Sequence, residues 1–339
     1  MKYIPQHNNW VYTLGCLCML ALGVHVQAQE KGDIAKLFPD NTEMAFSFNV
    51  KSLLSSSFFQ KHFKQDLDEA IKNNAQLQRV METISFDPMR DLTTVTFTIS
   101  KFNLRMGGAP DVDGFAVLRG AFNVEKMNGA LGALIAAANA GDRVNTSRYG
   151  DFVIYEVKDA SSGKAFYATI FDKETIFGGT VKEDVTNAIE RAIGRKSGTL
   201  NNKFAELMSK ARNNNTMWGA MLTPASVKDM SRMAPPEVGD TIGKLEAQTM
   251  NLNIKDDIKF EVNMYMAEES AASQMKTQMD QAKELAGAAV LSNEQIGAEL
   301  ADIVSSLQVG SNGKKVSLTG DIKADLVDKL VKIMKDRDR

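Results

Sequence analysis

Cysteine and histidine are almost absent from this sequence. Both cysteines, Cys16 and Cys18, and two of the three histidines lie within the first 28 residues. If those residues are removed as a leader, the remaining chain has no thiol, no disulfide and a single histidine, His62. A zinc site built from several histidines is then excluded, and a Ser-His-Asp triad would have to use His62.

Residues 1–28 have the pattern of a secretory signal peptide. Lys2 is their only charged residue, and an apolar stretch runs from Trp10 to Val24. Small residues follow at Val26 and Ala28, the positions that signal peptidase reads, so we predict cleavage after Ala28. A retained anchor is the alternative, although the apolar stretch is shorter than the roughly 20 residues of a spanning helix. We expect the mature protein to be exported, to the periplasm or outside the cell.

The chain also lacks a strong net charge of either sign. Loss of Lys2 would change the formal charge only from −2 to −3, and charges of both signs are mixed throughout. A nucleic-acid-binding protein is expected to carry a basic stripe, so we predict no nucleic-acid partner. The mature chain of about 310 residues exceeds the usual size of one hydrophobic core, which predicts two domains or two repeats.

Strand and helix patterns alternate in the first half. Residues 42–50 (TEMAFSFNV) and 92–100 (LTTVTFTIS) are rich in the β-branched and aromatic residues of strands. Apolar residues recur at helical spacing from Leu54 to Ile71, and we predict one long amphipathic helix there, capped by Asn49. Further elements are predicted as strands at 115–122, 149–157, 164–171 and 174–179, and as a helix that follows Asn123 and ends at Gly141.

The second half repeats this order of elements. Strands are predicted at 216–223, 245–254 and 257–266, with Thr223 capping a helix that starts at Pro224, and a long helix at 268–289. Residues 316–333 align with 175–192 at a constant offset of 141 residues, so that Gly179 meets Gly320. We interpret this match as an internal duplication with units 29–198 and 199–339.

The glycine pair at 178–179 raises the question of a phosphate-binding loop, because a helix pattern follows it. Thr180 and Glu183 have the spacing of a capping box, and Asp321 takes the cap position in the second unit. Asp184 in the first helical turn complements the helix dipole and would repel a phosphate. We therefore predict a helix start and not an anion site.

Several other patterns suggest chemistry only weakly. His62 lies on or beside an apolar helix stripe, and the sequence indicates no partner to orient it as a general base. Ser-x-x-Lys occurs at Ser161, Ser273 and Ser311, each time away from the helix start where the acyl-transfer motif works. Residues 111–114 (DVDG) resemble the start of a calcium loop but lack its later ligands, which favours a polar turn.

Methionine is abundant, with 18 residues in the chain. Met264 and Met266 share one face of a predicted strand, and Met275 and Met279 are one helical turn apart. Thioethers can bind Cu(I), but methionine more often fills gaps in a core. We predict packing at these positions, and no catalytic residue, metal or cofactor.

The order of these elements resembles a set of secreted bacterial proteins that contain a domain of unknown function. The shared features are Pro39-Asp40 near the start, an Asp-Pro-x-x-Asp-Leu turn at 87–92 and a strand that ends in Gly-x-Phe at 120–122. The resemblance covers residues 35 to 195 and, more faintly, 200 to 335. It implies no catalytic residues.

The sequence therefore predicts an α+β protein of two related repeats, each a mainly antiparallel sheet with long helices packed on one face. The leading functional hypothesis is an exported, non-enzymatic binding or structural protein, with an envelope protein or an apolar molecule as partner. One alternative is a carrier of an apolar, lipid-like ligand held between sheet and helices. Another is a carboxylate-based hydrolase, since paired acids can work without histidine.

Overall fold

The computed structural model describes residues 33–103, 111–137, 144–159, 163–212, 215–231, 235–291 and 297–337. The predicted signal peptide, residues 104–110 and the predicted helix end at Gly141 lie outside these ranges.

Twelve strands form one continuous sheet in which every neighbouring pair is antiparallel. They are β1 (Met44–Asn49), β2 (Leu92–Asn103), β3 (Asp111–Gly120), β4 (Val144–Tyr149), β5 (Phe152–Lys158), β6 (Ala165–Asp172), β7 (Thr175–Gly179), β8 (Met217–Leu222), β9 (Leu245–Ile254), β10 (Ile258–Met266), β11 (Gln308–Asn312) and β12 (Lys315–Ile322). Their order in the sheet is β11-β12-β10-β9-β8-β1-β2-β3-β7-β6-β5-β4. The α+β class is confirmed, and the pairing of β1 with β8 joins the two predicted halves into a single sheet.

A short 3-10 helix at Ile34–Leu37 precedes β1. The α-helices of the described residues are α1 (Val50–Ser55), α2 (Ser57–His62), α3 (Lys64–Asn73), α4 (Ala75–Ile84), α5 (Pro88–Asp91), α6 (Val124–Ala137), α7 (Lys182–Ala192), α8 (Asn202–Ala211), α9 (Ala225–Ser231), α10 (Pro236–Gly243), α11 (Glu269–Leu291), α12 (Gly297–Ser306) and α13 (Ala324–Arg337). The sequence patterns did not predict α8, α10 or α12.

The long helix predicted after Asn49 is instead the run of short helices α1 to α4. Asn49 caps α1 as predicted. The side chains of Ser56 and Asn74 accept hydrogen bonds from the backbone amides of Phe59 and Leu77, and each starts a new helix. Short polar side chains that bind nearby amides compete with a continuous helix, so the apolar spacing alone overestimated its length.

Three local predictions in the strands and loops are wrong. Residues 111–114 belong to β3 and do not form a turn. A turn at Gly150, whose φ is 57°, separates β4 from β5, so the strand predicted at 149–157 begins too early and β4 was not predicted. Thr223 does not cap α9, because its hydroxyl oxygen is buried without a hydrogen-bond partner among the described residues. The carbonyl of Pro224 accepts hydrogen bonds from the backbone amides of Val227 and Lys228 in α9.

The sheet has two faces with different coverings. Residues directly opposite in antiparallel strands point to the same face. We call the face with Phe46, Gly219 and Met250 the front, and the face with Ala45 and Ala220 the back.

The back face carries the largest hydrophobic core. The 3-10 helix, α7 and α8 pack there against the middle of the sheet. Its fully buried side chains include Phe38, Val117, Phe177, Val185, Ile189 and Phe204. The predicted boundary at residues 198 and 199 falls between α7 and α8, and both helices contribute to this one core.

The front face carries two smaller cores, one in each predicted half. In the first half, α1 and α2 pack with α4 to α6 around Val95 and Phe122. In the second half, α11 packs over Met266 and Val316. The centre of the front face lies between these two cores.

The strand order of the two halves agrees, but the predicted alignment does not. The order β1-β2-β3-β7-β6 in the first half corresponds to β8-β9-β10-β12-β11 in the second. However, Gly179 pairs with Phe115 on the back face, whereas Gly320 pairs with Phe260 on the front face. A shift of one residue moves every side chain of a strand to the opposite face, so the offset of 141 residues is wrong for these strands. The duplication itself stays a prediction.

The helices that follow these two strands also pack differently. α7 contributes Val185 and Ile189 to the back-face core. α13 contacts α12, and its Asp328 binds α2, so it joins the helices of the front face. Matching sequence patterns after β7 and β12 therefore lead to helices on opposite sides of the sheet.

Neither predicted cap at these helix starts is used. Thr180 exchanges hydrogen bonds with the backbone of Gly114, and α7 begins without a side-chain cap. The first amide of α13 donates to Asp257 and not to Asp321, at 3.0 Å. The glycine corner after β7 is still a helix start, but strand contacts hold it in place.

Candidate functional site

An apolar surface lies on the front face of the central strands β1, β8, β9 and β10. Strand pairing places Phe48, Met217 and Leu252 side by side on it. Most of its large apolar side chains are partly exposed, while Met44, opposite Met221 on the same face, is buried. We call the following nine residues the apolar floor: Phe46, Phe48, Met217, Met221, Met250, Leu252, Phe260, Val262 and Met264.

The back face of the same strands is buried and combines Trp218 and alanines with polar side chains. Ser47, Thr249, Asn251 and Asn263 are all less than 8% exposed, whereas Phe48 on the floor is 37% exposed. Burial of apolar surface stabilises a fold by about 25 cal/mol per Å². A largely apolar surface that stays partly exposed while polar side chains on the opposite face are covered therefore marks a candidate binding site.

The described helices contact the edges of the floor. α8 packs extensively against β8 and β9, but on the back face. On the front, α1 packs on β2 and α12 packs on β12, while α11 packs on β11, β12 and β10, where Met275 and Met279 lie in one core with Met264. From strand geometry the floor is about 20 Å long, from residue 248 to residue 254, and about 14 Å wide across four strands.

Glycines allow two aromatic rings to lie against this surface. A Cβ atom on Gly219 would lie 2.8 Å from Phe46 Cδ1, and one on Gly320 would lie 2.4 Å from Phe260 Cε1. Glycine within a strand often marks such a close approach. The missing side chains of Gly219 and Gly320 therefore leave room for the rings of Phe46 and Phe260.

Gln248 is a polar residue within this apolar surface. It lies on β9, opposite Met221 of β8 and Met264 of β10. Its side chain is half-buried and has no hydrogen-bond partner among the residues that the structure describes. A polar group without a protein partner in such a place is available to water or to a ligand.

One end of the floor is bridged by α2. The amide of Phe58 donates to the carbonyl of Lys255 in the β9–β10 turn, at 3.1 Å. His62 Nε2 lies 2.8 Å from a carboxylate oxygen of Asp328 in α13, and Lys61 binds the same carboxylate. The ammonium of Lys61 holds the pKa of Asp328 below its ordinary value. His62, for which the sequence indicated no partner, thus links helices from the two halves.

The other end of the floor carries bridges from α9 and α10. The hydroxyl of Ser226 in α9 donates to the carbonyl of Phe102 in β2, at 3.2 Å. The side-chain amide of Gln278 in α11 donates to the hydroxyl of Thr241 in α10, also at 3.2 Å. Hydrogen bonds between different elements are therefore present at both ends of the floor.

A second cluster of charged groups surrounds Arg191 on the back face. Its guanidinium donates to the carbonyl of Phe38 at 2.7 Å and binds Asp40 at 2.9 Å. The Arg191 side chain is 1% exposed. Burial, with a contribution from the Asp113 carboxylate, raises the pKa of nearby Asp184 to about 6, against the opposing effect of Arg191. These contacts anchor the start of the described chain to α7.

Among the described residues, neither Ser273 with Lys276 nor Ser311 with Lys314 forms the hydrogen bond of an acyl-transfer dyad. Lys276 pairs with Asp280 on α11. Ser311 lies in β11 and Lys314 in the turn that follows it. Ser161 lies outside the described residues, and Lys164 binds Asp111.

The methionines that the sequence singled out lie in the front-face core of the second half. Met266 is buried there, and Met264, Met275 and Met279 pack around it. The packing interpretation is confirmed. Groups of three or more His, Cys, Asp or Glu residues that could hold a metal do not occur in the described ranges.

The floor was not predicted from the sequence, because the strand patterns were not compared between the two faces of each strand. The signal is present in β9, where Met250, Leu252 and Ile254 alternate with Thr249 and Asn251. Such alternation predicts one apolar and one polar face. It does not indicate that the polar face is the one that helices bury.

No described helix is both long enough and apolar enough to cross a membrane. No protein-family model and no curated protein matches this chain. Among solved structures, crystal form I of TP0453 matches with a TM-score of 0.43 and 10% sequence identity, over 90% of this chain and 99% of that chain. The resemblance to secreted bacterial proteins stays a prediction.

Proposed function

We propose that this protein is an exported, non-enzymatic binding protein whose ligand is apolar and occupies the apolar floor. The observation that carries the proposal is the contrast between the two faces of β1, β8, β9 and β10. Large apolar side chains stay partly exposed on the front, while Ser, Thr and Asn side chains on the back are buried. An apolar ligand on the front would complete the burial that the chain leaves open.

The dimensions of the floor, about 20 Å by 14 Å, favour a long, narrow ligand. The hydrogen bonds at Asp328 and Ser226 link the two halves of the chain at its ends. Mostly apolar sites suit small molecules. Four of the nine floor residues are methionines, whose flexible side chains adapt to ligands of different shape.

Export is proposed from residues 1–28 alone, whose charge, apolar stretch and small residues fit a signal peptide. An exported protein with an apolar floor could carry a lipid-like molecule through an aqueous compartment. A purely structural role in the envelope is the broader form of the same hypothesis. It would require no small molecule on the floor.

Titration with 1-N-phenylnaphthylamine, an uncharged apolar fluorophore, tests this function on the delipidated chain from Gln29 onward. We expect saturable binding by the wild type. Phe48→Asp should weaken it about tenfold or more, since a tenfold loss corresponds to only about 1.4 kcal/mol. Leu285→Asp is the matched control, because Leu285 is 72% exposed on α11, outside the floor.

Equal affinity of the Phe48→Asp variant and the wild type would contradict the proposed site. Unsaturable binding by all variants would contradict the function. Thermal unfolding of each variant shows whether it is folded before its affinity is compared.

A carboxylate-based hydrolase is a second candidate, favoured by one observation. Burial, with a contribution from the Asp113 carboxylate, raises the pKa of Asp184 to about 6, and a carboxylic acid with a raised pKa can act as a general acid. Turnover of glycoside or ester substrates that Asp184→Asn abolishes would support this function. Turnover that is absent from wild type and variant alike would reject it.

A further inference from the structure

We propose that two copies of this chain associate through β4, with the two β4 strands antiparallel and the two sheets continuous. β4 is the last strand at one end of the sheet, and among the described strands it pairs only with β5. An edge strand presents a row of backbone groups that can pair with another strand. The inference is independent of the proposed function, because the apolar floor lies on strands away from β4.

The turn between β4 and β5 decides which backbone groups of β4 point outward. Tyr149 and Phe152 are directly paired across a two-residue turn, so they exchange two backbone hydrogen bonds. Hydrogen-bonded and non-hydrogen-bonded pairs alternate along an antiparallel ladder. The amide and carbonyl groups of Val144, Thr146 and Arg148 therefore point away from β5. They have no hydrogen-bond partner among the residues that the structure describes.

β4 lacks the features that usually keep edge strands apart. A proline, a lysine, a bulge or a covering helix commonly blocks such an edge. β4 contains neither proline nor lysine, and its pairing with β5 has no register shift. The strand at the other end of the sheet, β11, is shorter, contains Gly310 and packs against α11. Lys283 of α11 also donates to the carbonyl of Leu307, just before β11. β4 is therefore the more open edge.

The symmetry of a dimer determines how the two strands align. A two-fold axis keeps each side chain on its own face of the combined sheet, and the outward groups lie on alternate residues. The alignment that pairs all of them places Thr146 opposite Thr146 of the second copy, and Val144 opposite its Arg148. It forms about six backbone hydrogen bonds. Opposed threonines stabilise antiparallel strands. The two Arg148 residues are about 13 Å apart along the strands, so salt screens their repulsion.

The other face of β4 also suits this alignment. Asn145 lies opposite Ser147 of the second copy, and both side chains can donate and accept hydrogen bonds. Lys182 of α7 donates to Ser147 at 3.0 Å, and Glu156 of β5 is paired with Asn145. The alignment therefore brings Lys182 of each copy towards Glu156 of the other, which is an attraction between opposite charges.

The remaining charges beside β4 favour a second copy as the partner. Arg148 is the only charged residue of the strand. Tyr149 interacts with the carboxylate of Glu190 in α7, which lies 3.8 Å from Arg195. A second copy therefore meets no block of one charge at this edge. An unrelated peptide would need a matching sequence, whereas the two-fold axis supplies the matched register and the complementary charges.

Sedimentation equilibrium of the chain from Gln29 onward tests the association. We expect a wild-type dimer with a dissociation constant of about 10 μM or lower. Thr146→Lys and Thr146→Glu each place two like charges opposite one another, and each should weaken the dimer about tenfold or more. An equal mixture of the two variants should restore the affinity, which misfolded variants would not do. Ser311→Lys, on β11, is the matched control and should dimerise as the wild type does.

A single cysteine tests the alignment of the strands. The chain from Gln29 onward has no cysteine, so Thr146→Cys introduces one thiol. The two 146 positions face each other within disulfide range, so mild oxidation should give a covalent dimer. Ser311→Cys should stay monomeric under the same oxidation. A wild type that is monomeric up to about 100 μM, or a dimer that neither charge variant weakens, would overturn the proposal. Fluorophore binding to the apolar floor is measured separately, so failure of this inference is distinguishable from failure of the proposed function.

Discussion

Asp328 in the last helix accepts a hydrogen bond from His62 in α2, across 266 positions of the sequence and at 2.8 Å. The contact joins helices from the two predicted halves at one end of the apolar floor. Ser226 and Phe102 make a corresponding link at the other end. Contacts between the two halves are therefore present at both ends of the floor.

Removal of the Asp328 carboxylate should loosen α13. Asp328→Ala deletes the acceptor shared by Lys61 and His62, and no other described ion pair joins α13 to α2. We expect faster amide hydrogen exchange across α13, with no change in α7. Lys329→Ala, an exposed neighbour, should leave the exchange of α13 unchanged. Equal protection of α13 in the two variants would contradict the bridge.

Arg191 should be among the residues on which stability depends most. Its buried guanidinium holds the carbonyl of Phe38 and the carboxylate of Asp40. Arg191→Met should lower the free energy of unfolding by about 3 kcal/mol, as removal of one partner of a buried polar cluster does. Arg195→Met, at a site 72% exposed, should change it by less than about 0.5 kcal/mol. Urea unfolding of both variants measures the difference.

Ionisation of Asp184 should make the fold less stable as the pH rises. Its pKa in the folded state, about 6, lies above the ordinary 3.8, so the folded state binds the proton more tightly than the unfolded chain. Stability therefore falls as the pH increases from about 4 to above 6. The full shift would correspond to about 3 kcal/mol, and partial solvent exposure reduces the expected effect to about 1–2 kcal/mol.

The Asp184→Asn variant removes that ionisation. It should be more stable than the wild type at pH 8 and nearly equal to it at pH 4, as measured by urea unfolding at both values. Asp325→Asn, at an exposed position in the first turn of α13, should show little of this pH dependence. A stability difference for Asp184→Asn that does not change with pH would contradict the raised pKa.

Gly120 should tolerate no side chain. A Cβ atom there would lie 2.4 Å from the backbone oxygen of Asp91 and 3.2 Å from Leu92 Cα. Gly120→Ala should destabilise the protein by about 2 kcal/mol or more, because the backbone must move. Gly132→Ala, on α6 with no atom within 4 Å, should instead stabilise it by about 0.5–1 kcal/mol. Thermal unfolding that ranks the two variants in the opposite order would refute the packing.

The contact at Gly120 also explains two sequence motifs that were noted separately. The amide of Ala121 donates to the same Asp91 carbonyl, at 2.7 Å, so the Asp-Pro-x-x-Asp-Leu turn and the Gly-x-Phe strand end touch. Phe86 and Phe122 pack beside them with ring centroids 5.5 Å apart. The sequence identified both motifs, but their contact depends on the pairing of β2 with β3.

Local chemistry predicted most of the strands and the cap at Asn49, because those features depend on residues close together in the chain. The register of β12 relative to β7 could not be predicted in this way. Gly179 and Gly320 follow similar residues, yet they lie on opposite faces because strand pairing over long distances sets the register. The apolar floor escaped prediction for the same reason, since its four strands come from both halves of the chain.

Photo-crosslinking of an apolar probe to the chain tests the central claim most directly. A monoacylglycerol with a diazirine in its acyl chain would be incubated with the delipidated protein, irradiated and located by peptide mass spectrometry. If an apolar ligand occupies the floor, we expect labels concentrated in residues 217–222 and 245–254, and we expect them to be lost in the Phe48→Asp variant. Labels spread over the surface helices, or unchanged by that substitution, would contradict it.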